Sequence, residues 1–271
     1  MNLFHRLTVI LLFTTITYAA SDDTKLTVGF NLMSVDYMEY SQSGKKLDSE
    51  KSDALPGFTL GYQTRLLDGI DQDGGFIDLS FSHYQGNTDY VGSYQGGAYG
   101  DLSNTTQNKL NDGILSYIQN KSAFNLLFSL QGGMGYHQWT RDLTGWQTED
   151  YRWAYGFIKT GVSATISKKD NLAVFIQYHQ AFGPQMEAKM QDGSSLTFDL
   201  GRTDGYSISV PFTHKLNNLW DIKLAYTYTN WNIGRSNTLI NSGSPWTEPR
   251  SESSFHTLGL AFIYKYNNGD E

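Results

Sequence analysis

A few polar side chains could support hydrolytic chemistry. Asp78 and Ser82 lie four positions apart, and His137 and His179 lie in two later segments. A hydroxyl or water nucleophile needs a histidine base and a carboxylate that orients it, and histidine also binds metal ions near neutral pH. No Asp, Glu or Cys occurs at a fixed spacing from either histidine. The sequence therefore predicts no metal site and no cofactor, and these four residues are only suspects for catalysis.

The segments that carry these residues have the periodicity of β-strands. Apolar and polar residues alternate in ten stretches after residue 24, which predicts strands with one apolar face. Leu26, Val28, Phe30 and Leu32 share one face of the first stretch, with Thr27, Gly29 and Asn31 on the other. The ten stretches span residues 26–32, 58–63, 77–82, 111–119, 124–131, 156–166, 172–178, 206–212, 220–228 and 257–264.

The connections between these stretches alternate in length. Four are turn-like, at residues 66–75, 120–122, 168–171 and 216–218, and five are long, at residues 36–55, 86–110, 140–150, 182–203 and 232–254. An even number of antiparallel strands with short periplasmic turns and long outer loops is typical of bacterial outer-membrane barrels. The sequence predicts an all-β, up-and-down transmembrane barrel of about ten strands.

The N-terminus has the features of an export signal. Arg6 precedes an apolar run from Leu7 to Ile16, and small residues follow at Ala19 and Ala20. We predict a cleaved signal peptide over residues 1–20 and a barrel domain over residues 21–271, located in the outer membrane of a Gram-negative bacterium. Loss of Arg6 changes the formal charge from −7 to −8. This acidic balance argues against a nucleic-acid partner.

Inward-facing charges are predicted to cross-brace the lumen. They are Arg65, Asp78, Lys159, Asp221, Lys223 and Lys265. Buried charges need partners, so a narrow barrel with this lumen is expected to be plugged by ion pairs. The alternative is a narrow, porin-like diffusion channel, because a barrel of about ten strands lies between the filled and the wide aqueous classes.

Aromatic residues recur in the predicted outer loops. The candidates for ligand binding are Tyr90, Tyr94, Tyr99, Trp146 and Trp246. Aromatic side chains on adaptable loops offer a large contact area at small entropic cost, which suits an extracellular glycan, peptide or protein ligand. The alternative is that these rings pack the loops against one another.

The last predicted strand, Thr257–Tyr264, reads Thr-Leu-Gly-Leu-Ala-Phe-Ile-Tyr. It resembles the polar-x-Gly-x-x-aromatic-x-aromatic signal that the barrel-assembly machinery recognises. The resemblance implies insertion by that machinery among outer-membrane lipid and lipopolysaccharide. Lys265 to Glu271 follow the signal, whereas many outer-membrane proteins end on the aromatic residue.

In strand count and long outer loops the chain resembles the omptin proteases and similar ten-stranded adhesins. Omptins carry an acidic pair and an Asp-x-His pair at the rim. This sequence has no Asp-x-His, and its Asp71-x-Asp73 falls in a turn at the predicted periplasmic end. We therefore predict a non-catalytic envelope protein with a surface-binding or structural role. A narrow channel and an outer-membrane hydrolase, either an omptin-like protease or a lipid-modifying enzyme, are the alternatives.

Overall fold

The computed structural model describes residues 24–52, 54–67, 73–93, 97–143, 147–241 and 243–266. The predicted signal peptide and Asp71 lie outside these ranges. The described strands are β1 (Thr24–Tyr40), β2 (Lys46–Lys51), β3 (Leu55–Leu67), β4 (Gly74–Gly92), β5 (Leu102–Ala123), β6 (Leu126–Asp142), β7 (Gln147–Thr165), β8 (Asp170–Met190), β9 (Ser195–Asp199), β10 (Gly201–Lys215), β11 (Trp220–Gly234), β12 (Leu239–Asn241), β13 (Ser244–Trp246) and β14 (Arg250–Tyr266). No helix long and apolar enough to cross a membrane occurs in these ranges.

The sheet closes on itself. β1 pairs antiparallel with β14 along its whole length, from Thr24 opposite Tyr266 to Tyr40 opposite Arg250. β2 and β3 together occupy one position around the barrel, because both pair with β1. β9 and β10 likewise share one position, because both pair with β8. The result is a closed, ten-stranded antiparallel barrel, which confirms the predicted fold.

The strands are longer than predicted and extend far into the predicted loops. The hairpin of β4 and β5 stays paired up to Gly92 and Leu102, so most of the predicted loop 86–110 is strand. The other predicted loops shorten in the same way: β6 and β7 pair as far as Asp142 and Thr148. We call the end that carries these five long hairpins the distal end, and the end with both chain termini and the short turns the terminal end.

One terminal turn lies at a different place from the predicted one. We placed it at residues 120–122 and began the next strand at Phe124, but β5 continues to Ala123 and β6 begins at Leu126. Phe124 and Asn125 both have positive φ, 53° and 61°. Two consecutive positive φ values form the two-residue turn whose twist matches a hairpin, and asparagine tolerates this conformation well.

The dipeptide Asp192-Gly193, which predicts a two-residue hairpin turn, lies at the tip of the β8–β9 hairpin. Gly193 has a φ of 84°, and its N–H donates to the carbonyl of Met190 at 3.0 Å. Asp192 does not share the positive φ, and its carboxylate accepts a hydrogen bond from the Ser194 N–H at 2.9 Å. The tip is therefore wider than the two-residue turn that we expected.

The apolar face of the strands changes side along the barrel. In β1, Leu26 to Leu32 present apolar side chains on the outer surface, with Phe30 65% exposed. From Met33 onward the apolar residues occupy the opposite parity and are buried inside, including Val35 and Tyr37. The pairing with β14 stays in register through this switch, so no bulge causes it.

The same switch occurs in other strands. In β7, Tyr151, Trp153, Tyr155 and Phe157 point inward, whereas Ile158 is exposed outside. The outer surface near the terminal end thus forms an apolar belt of the kind that faces lipid in membrane barrels. The distal half instead has an apolar interior and a polar exterior, as in a soluble protein.

Candidate functional site

The four residues suspected of catalysis all line one interior cavity. It has a volume of about 640 Å³ and runs from Asn120 and Asn171 near the terminal end to Trp231 and Phe255 near the distal end. Ser82 lies directly opposite Asp112 on β5, and Asp112 lies opposite His137 on β6. Asp78 lies four residues before Ser82 along β4, closer to the terminal end.

The structure supplies a carboxylate partner for His137 that the sequence analysis missed. The Asp112 carboxylate lies 2.9 Å from His137 Nδ1 and accepts a hydrogen bond from the Tyr155 hydroxyl at 2.7 Å. The Ser82 hydroxyl pairs with Thr59 Oγ1 at 2.9 Å. Asp112 therefore stands between the serine and the histidine, where a nucleophile relay would need the histidine. His137 Nε2 is buried without a hydrogen-bond partner, and the Ser82 hydroxyl is bonded to Thr59 instead.

The two lumen histidines are separated by an indole ring. The Trp231 ring centroid lies 3.9 Å from that of His179 and 5.8 Å from that of His137. His179 Nε2 lies 3.1 Å from the carbonyl oxygen of Asn230. Within the described ranges neither histidine belongs to a group of three potential metal ligands. This arrangement is that of two histidines packed into an aromatic layer.

An aromatic layer crosses the lumen. Tyr37 on β1 contacts Trp139 on β6, with ring centroids 5.2 Å apart, and Trp153 on β7 contacts Trp231 on β11 at 5.2 Å. These strand pairs are not neighbours in the sheet, so the rings reach across the barrel. Trp139 and Trp153 are 0% and 1% exposed. We call this layer, formed by Tyr37, Trp139, Trp153, Tyr155, Trp231 and Phe255, the aromatic plug.

A buried ionic cluster lies on the distal side of the plug. Arg141 donates two hydrogen bonds to Glu50 Oε1, from Nη2 at 2.7 Å and from Nε at 3.0 Å, and one to Glu149 Oε2 at 2.6 Å. Its guanidinium also lies 4.0 Å from the centroid of the Tyr37 ring. Hydrogen bonds between a charged arginine and a carboxylate are among the stronger polar contacts in proteins. Glu39 and Glu248 complete this cluster, which we call the Arg141 cluster.

Tyrosine and amide side chains satisfy many of the remaining oxygens. Tyr37 donates to Glu39 at 2.6 Å, and Tyr151 donates to Glu248 at 2.5 Å. Glu50 Oε2 accepts hydrogen bonds from Thr88 and Asn108 at 2.9 and 3.2 Å. Trp139 Nε1 in turn donates to Asn108 at 2.6 Å, which joins the cluster to the plug.

The electrostatics of the cluster are dominated by burial. Loss of hydration and the nearby Asp48 carboxylate raise the pKa of Glu39 to about 7, although Arg141 opposes the shift. Burial also raises the pKa of Glu248 well above its usual range, and Glu39 and Glu149 reinforce this effect. One guanidinium thus offsets only part of the negative charge that the four glutamates would carry.

The predicted lumen charges occupy three places. Lys265 Nζ lies 2.7 Å from Asp221 at the terminal end. Arg65 donates to the carbonyl of Asp73 at 2.9 Å and lies over the Phe76 ring. Asp78, Lys159 and Lys223 line the cavity, and Lys159 lies 4.8 Å from the centroid of the Phe175 ring. The bracing of the distal half comes from the Arg141 cluster, which the sequence analysis did not include.

The aromatic residues assigned to binding loops have different surroundings. Tyr90 is part of β4 and is 5% exposed, so it does not offer a free binding surface. Tyr99 is 38% exposed at a tip, where it lies 2.8 Å from the Ser49 hydroxyl and under Lys46 Nζ. Trp246 on β13 packs against the distal core. Tyr94 and Trp146 lie outside the described residues.

A weak sequence signal for the cluster and plug did exist. Glu149, Tyr151, Trp153, Tyr155 and Phe157 alternate along a single strand with the charged residues Asp150 and Arg152 and the small residues Ala154 and Gly156. Glutamate and aromatic residues on one parity predict an inward face that extends beyond the membrane. The predicted loop at residues 140–150 covers the start of this segment, which hides its inward face from the sequence pattern.

Comparisons with known proteins identify the architecture alone. No protein-family model and no curated protein matches the chain. The structure of the outer-membrane protease OmpT from Escherichia coli aligns with a TM-score of 0.63 at 10% identity, covering 90% of this chain and 97% of that chain.

Two other solved structures align less well. The translocator domain of the autotransporter NalP from Neisseria meningitidis has a TM-score of 0.47 at 9% identity, covering 97% of this chain and 96% of that chain. The attachment protein Ail of Yersinia pestis, in complex with a heparin analogue, scores 0.35 at 10% identity, covering 90% and 99%. These two TM-scores are too low to support the fold assignment. On the first alignment and the closed sheet, the chain has the fold of a ten-stranded outer-membrane β-barrel.

Proposed function

We propose that this protein is a closed, non-catalytic barrel of the Gram-negative outer membrane that holds its distal hairpins rigidly at the cell surface for binding. The observation that carries the proposal is the aromatic plug with the Arg141 cluster beside it. Buried rings and a cross-lumen ion pair connect strands that are not neighbours in the sheet. Such a core favours a stiff scaffold over an open passage.

The apolar belt supports the proposed location. Outward side chains such as Phe30, Ile158 and Leu260 form a band between the terminal turns and the polar distal half. Contact with lipid stabilises an exposed apolar band on a barrel, whereas contact with water does not. The signal peptide, the C-terminal assembly signal and lipopolysaccharide around the distal part of the belt complete the proposal.

The distal tips are the surface available to a ligand. Tyr99 and Lys46 form an exposed aromatic and cationic pair, and Ile240 on β12 is 71% exposed. These features favour an extracellular glycan, peptide or protein as the partner, because aromatic and aliphatic side chains on a rigid scaffold lose little entropy on binding.

Insertion of short epitope tags tests the proposed orientation. One tag is placed after Gly193 in a distal tip and a matched tag after Lys168 in a terminal turn, since both positions are exposed turn residues. We expect antibody to label the Gly193 tag on intact cells and the Lys168 tag only after the outer membrane is permeabilised. The opposite pattern, or labelling of neither tag in a folded barrel, would contradict the proposal.

The hydrolase alternative has one supporting observation, the Asp112–His137 contact at 2.9 Å. Its histidine is stacked on Trp153 with ring centroids 4.7 Å apart, and Ser82 is bonded to Thr59. A hydrolase would lose its activity when His137 is replaced by Gln in a barrel that still folds. The closed-barrel proposal predicts that binding to the surface ligand is unchanged by this substitution.

A further inference from the structure

The Arg141 cluster contains more acidic than basic groups. Glu39, Glu50, Glu149 and Glu248 are 6%, 0%, 5% and 8% exposed, and Arg141 is the one basic side chain bonded to them among the described residues. Both hydrogen bonds that Arg141 donates to Glu50 end on the same carboxylate oxygen, Oε1. Burial of a carboxylate without a balancing charge is expensive, so the remaining glutamates need protons or a cation.

Three of these glutamates are arranged around a common point. One carboxylate oxygen from each of Glu39, Glu149 and Glu248 lies within 4.8 Å of the others. Calcium ions bind oxygen ligands at 2.3–2.6 Å, so ligands on opposite sides of one ion are separated by about 4.6–5.2 Å. The observed spacing therefore accommodates one ion of this size.

A buried hydroxyl without a partner provides an independent indication of a ligand. Ser251 Oγ is buried in a side chain that is 2% exposed, and it has no hydrogen-bond partner. Ser251 lies directly opposite Glu39 in the pairing of β1 with β14, and both side chains face the interior. Directly opposed residues have Cβ atoms about 4.5–5.5 Å apart, so Ser251 and Glu39 project from adjacent positions into the same interior space. Buried polar groups are rarely left unpaired, which makes this oxygen a candidate ligand.

Among the described residues, Glu39 and Glu248 each have one carboxylate oxygen that accepts no hydrogen bond, whereas both oxygens of Glu149 accept hydrogen bonds, from Arg141 and Gln147. The hydrogen bonds to Glu39 and Glu248 side chains within the described ranges all end on Oε1. The second oxygen of each carboxylate is left for another partner. Since every candidate donor is oxygen, the site suits a hard cation rather than zinc or copper, which favour nitrogen and sulfur ligands.

We propose that Glu39, Glu149 and Glu248 bind one divalent cation of the calcium type, with the Ser251 hydroxyl as a further oxygen ligand. Arg141, which is bonded to Glu50 and Glu149, and the cation together supply three positive charges against the four negative charges of the glutamates. The ion joins β1, β7 and the segment that leads into β14, so it fastens three parts of the distal end together. This inference goes beyond the proposed function and holds whether or not the tips bind a ligand.

Terbium luminescence tests the site directly. The mature barrel is refolded in detergent with chelator, dialysed free of metal and titrated with Tb³⁺, which replaces Ca²⁺ in oxygen sites. Tyr37 and Tyr151 donate hydrogen bonds to two of the ligating glutamates, so excitation of these rings should sensitise terbium emission. We expect one Tb³⁺ per barrel and loss of the emission when Ca²⁺ is added.

Two variants and one control locate the ion. Glu248→Gln removes a ligand charge and is expected to lower the affinity at least tenfold, and Ser251→Ala is expected to lower it severalfold while leaving all four glutamates in place. Glu252→Gln is the matched control, because Glu252 directly follows Ser251 on β14 but its side chain lies on the outward-facing side of the strand. It should bind terbium as the unmodified protein does.

Several results would overturn the proposal. A compact, folded barrel that gives no Ca²⁺-competed emission would mean that protons alone neutralise the cluster. Emission that both Ser251→Ala and Glu248→Gln retain with unchanged affinity would place the ion elsewhere. If Glu248→Gln does not fold, the unmodified protein and Ser251→Ala decide between these outcomes, together with the thermal unfolding midpoint, which Ca²⁺ should raise relative to chelator.

Discussion

Arg141 on β6 and Glu50 on β2 form an ion pair across the interior of the barrel, with Nη2 and Oε1 2.7 Å apart. Neither strand pairs with the other in the sheet, and the residues are 91 positions apart in the chain. Both side chains are almost completely buried. The contact therefore depends on the curvature of the sheet, and it fixes the distance between two separate parts of the wall.

Replacement of Arg141 by Met should strongly destabilise the protein. The change leaves Glu50 and Glu149 buried without their cation, and breaking a buried pair in this way costs about 3–5 kcal/mol. Urea unfolding in detergent, followed by tryptophan fluorescence, measures the free energy of unfolding. The control is Arg202→Met, because Arg202 pairs with Asp204 on the exposed surface, where an ion pair contributes little to stability. Equal losses for both variants would contradict the role assigned to Arg141.

Replacement of Trp153 by Ala should remove the centre of the aromatic plug. Trp153 is 1% exposed and touches both His137 and Trp231, so the change leaves a cavity and should lower the free energy of unfolding by about 3–5 kcal/mol. Trp220→Ala is the control, since Trp220 is 40% exposed on the outer surface. A smaller loss for Trp153 than for Trp220 would be inconsistent with a packed plug.

Replacement of Gly205 by Ala should disturb the packing of His179. A Cβ atom at residue 205 would collide with the carbonyl oxygen of Asn230 and would lie 2.6 Å from His179 Nε2. Overpacking of this kind typically costs about 1–3 kcal/mol. Gly113→Ala serves as the control, because nothing lies within 4 Å of its added Cβ. The thermal unfolding midpoints should fall for Gly205→Ala and stay near the original value for Gly113→Ala; equal midpoints would count against the close approach.

The C-terminal signal predicts a specific effect on assembly. Phe262 and Phe212 are both outward-facing belt residues, 39% and 36% exposed, but only Phe262 lies in the signal. Replacement of either by Ser should cost similar lipid contact, whereas only Phe262→Ser should leave unassembled chains in the periplasm. Fractionation of cells that express each variant, with gel mobility as the readout of folding, compares them. Equal assembly defects would remove the basis for recognition through this strand.

The periodicity of the sequence was sufficient to predict the closed barrel, because Leu26 to Leu32 and the equivalent stretches alternate cleanly where lipid and lumen lie on opposite faces. Beyond Leu32 the polarity of the two faces reverses, so the pattern that predicts the first strand stops there although β1 continues to Tyr40. Tyr90 was assigned to a loop for this reason, although it belongs to β4.

The Arg141 cluster was beyond the reach of periodicity. Glu39, Glu50, Arg141 and Glu248 come from distant parts of the sequence, and only closure of the barrel brings them together. The same holds for Asp112 and His137, which face each other on neighbouring strands because of a register that the pattern alone did not specify.

Ionic conductance in planar lipid bilayers tests the central claim, that the aromatic plug closes the lumen. Folding is first shown by faster gel migration of the unboiled sample. The unmodified protein and a Trp139→Ala, Trp153→Ala, Trp231→Ala triple variant are then inserted into bilayers in separate experiments. We predict no steady single-channel steps for the unmodified barrel, and measurable steps for the triple variant if it folds. Steady, reproducible steps from the unmodified protein would contradict the account and would establish the narrow channel instead.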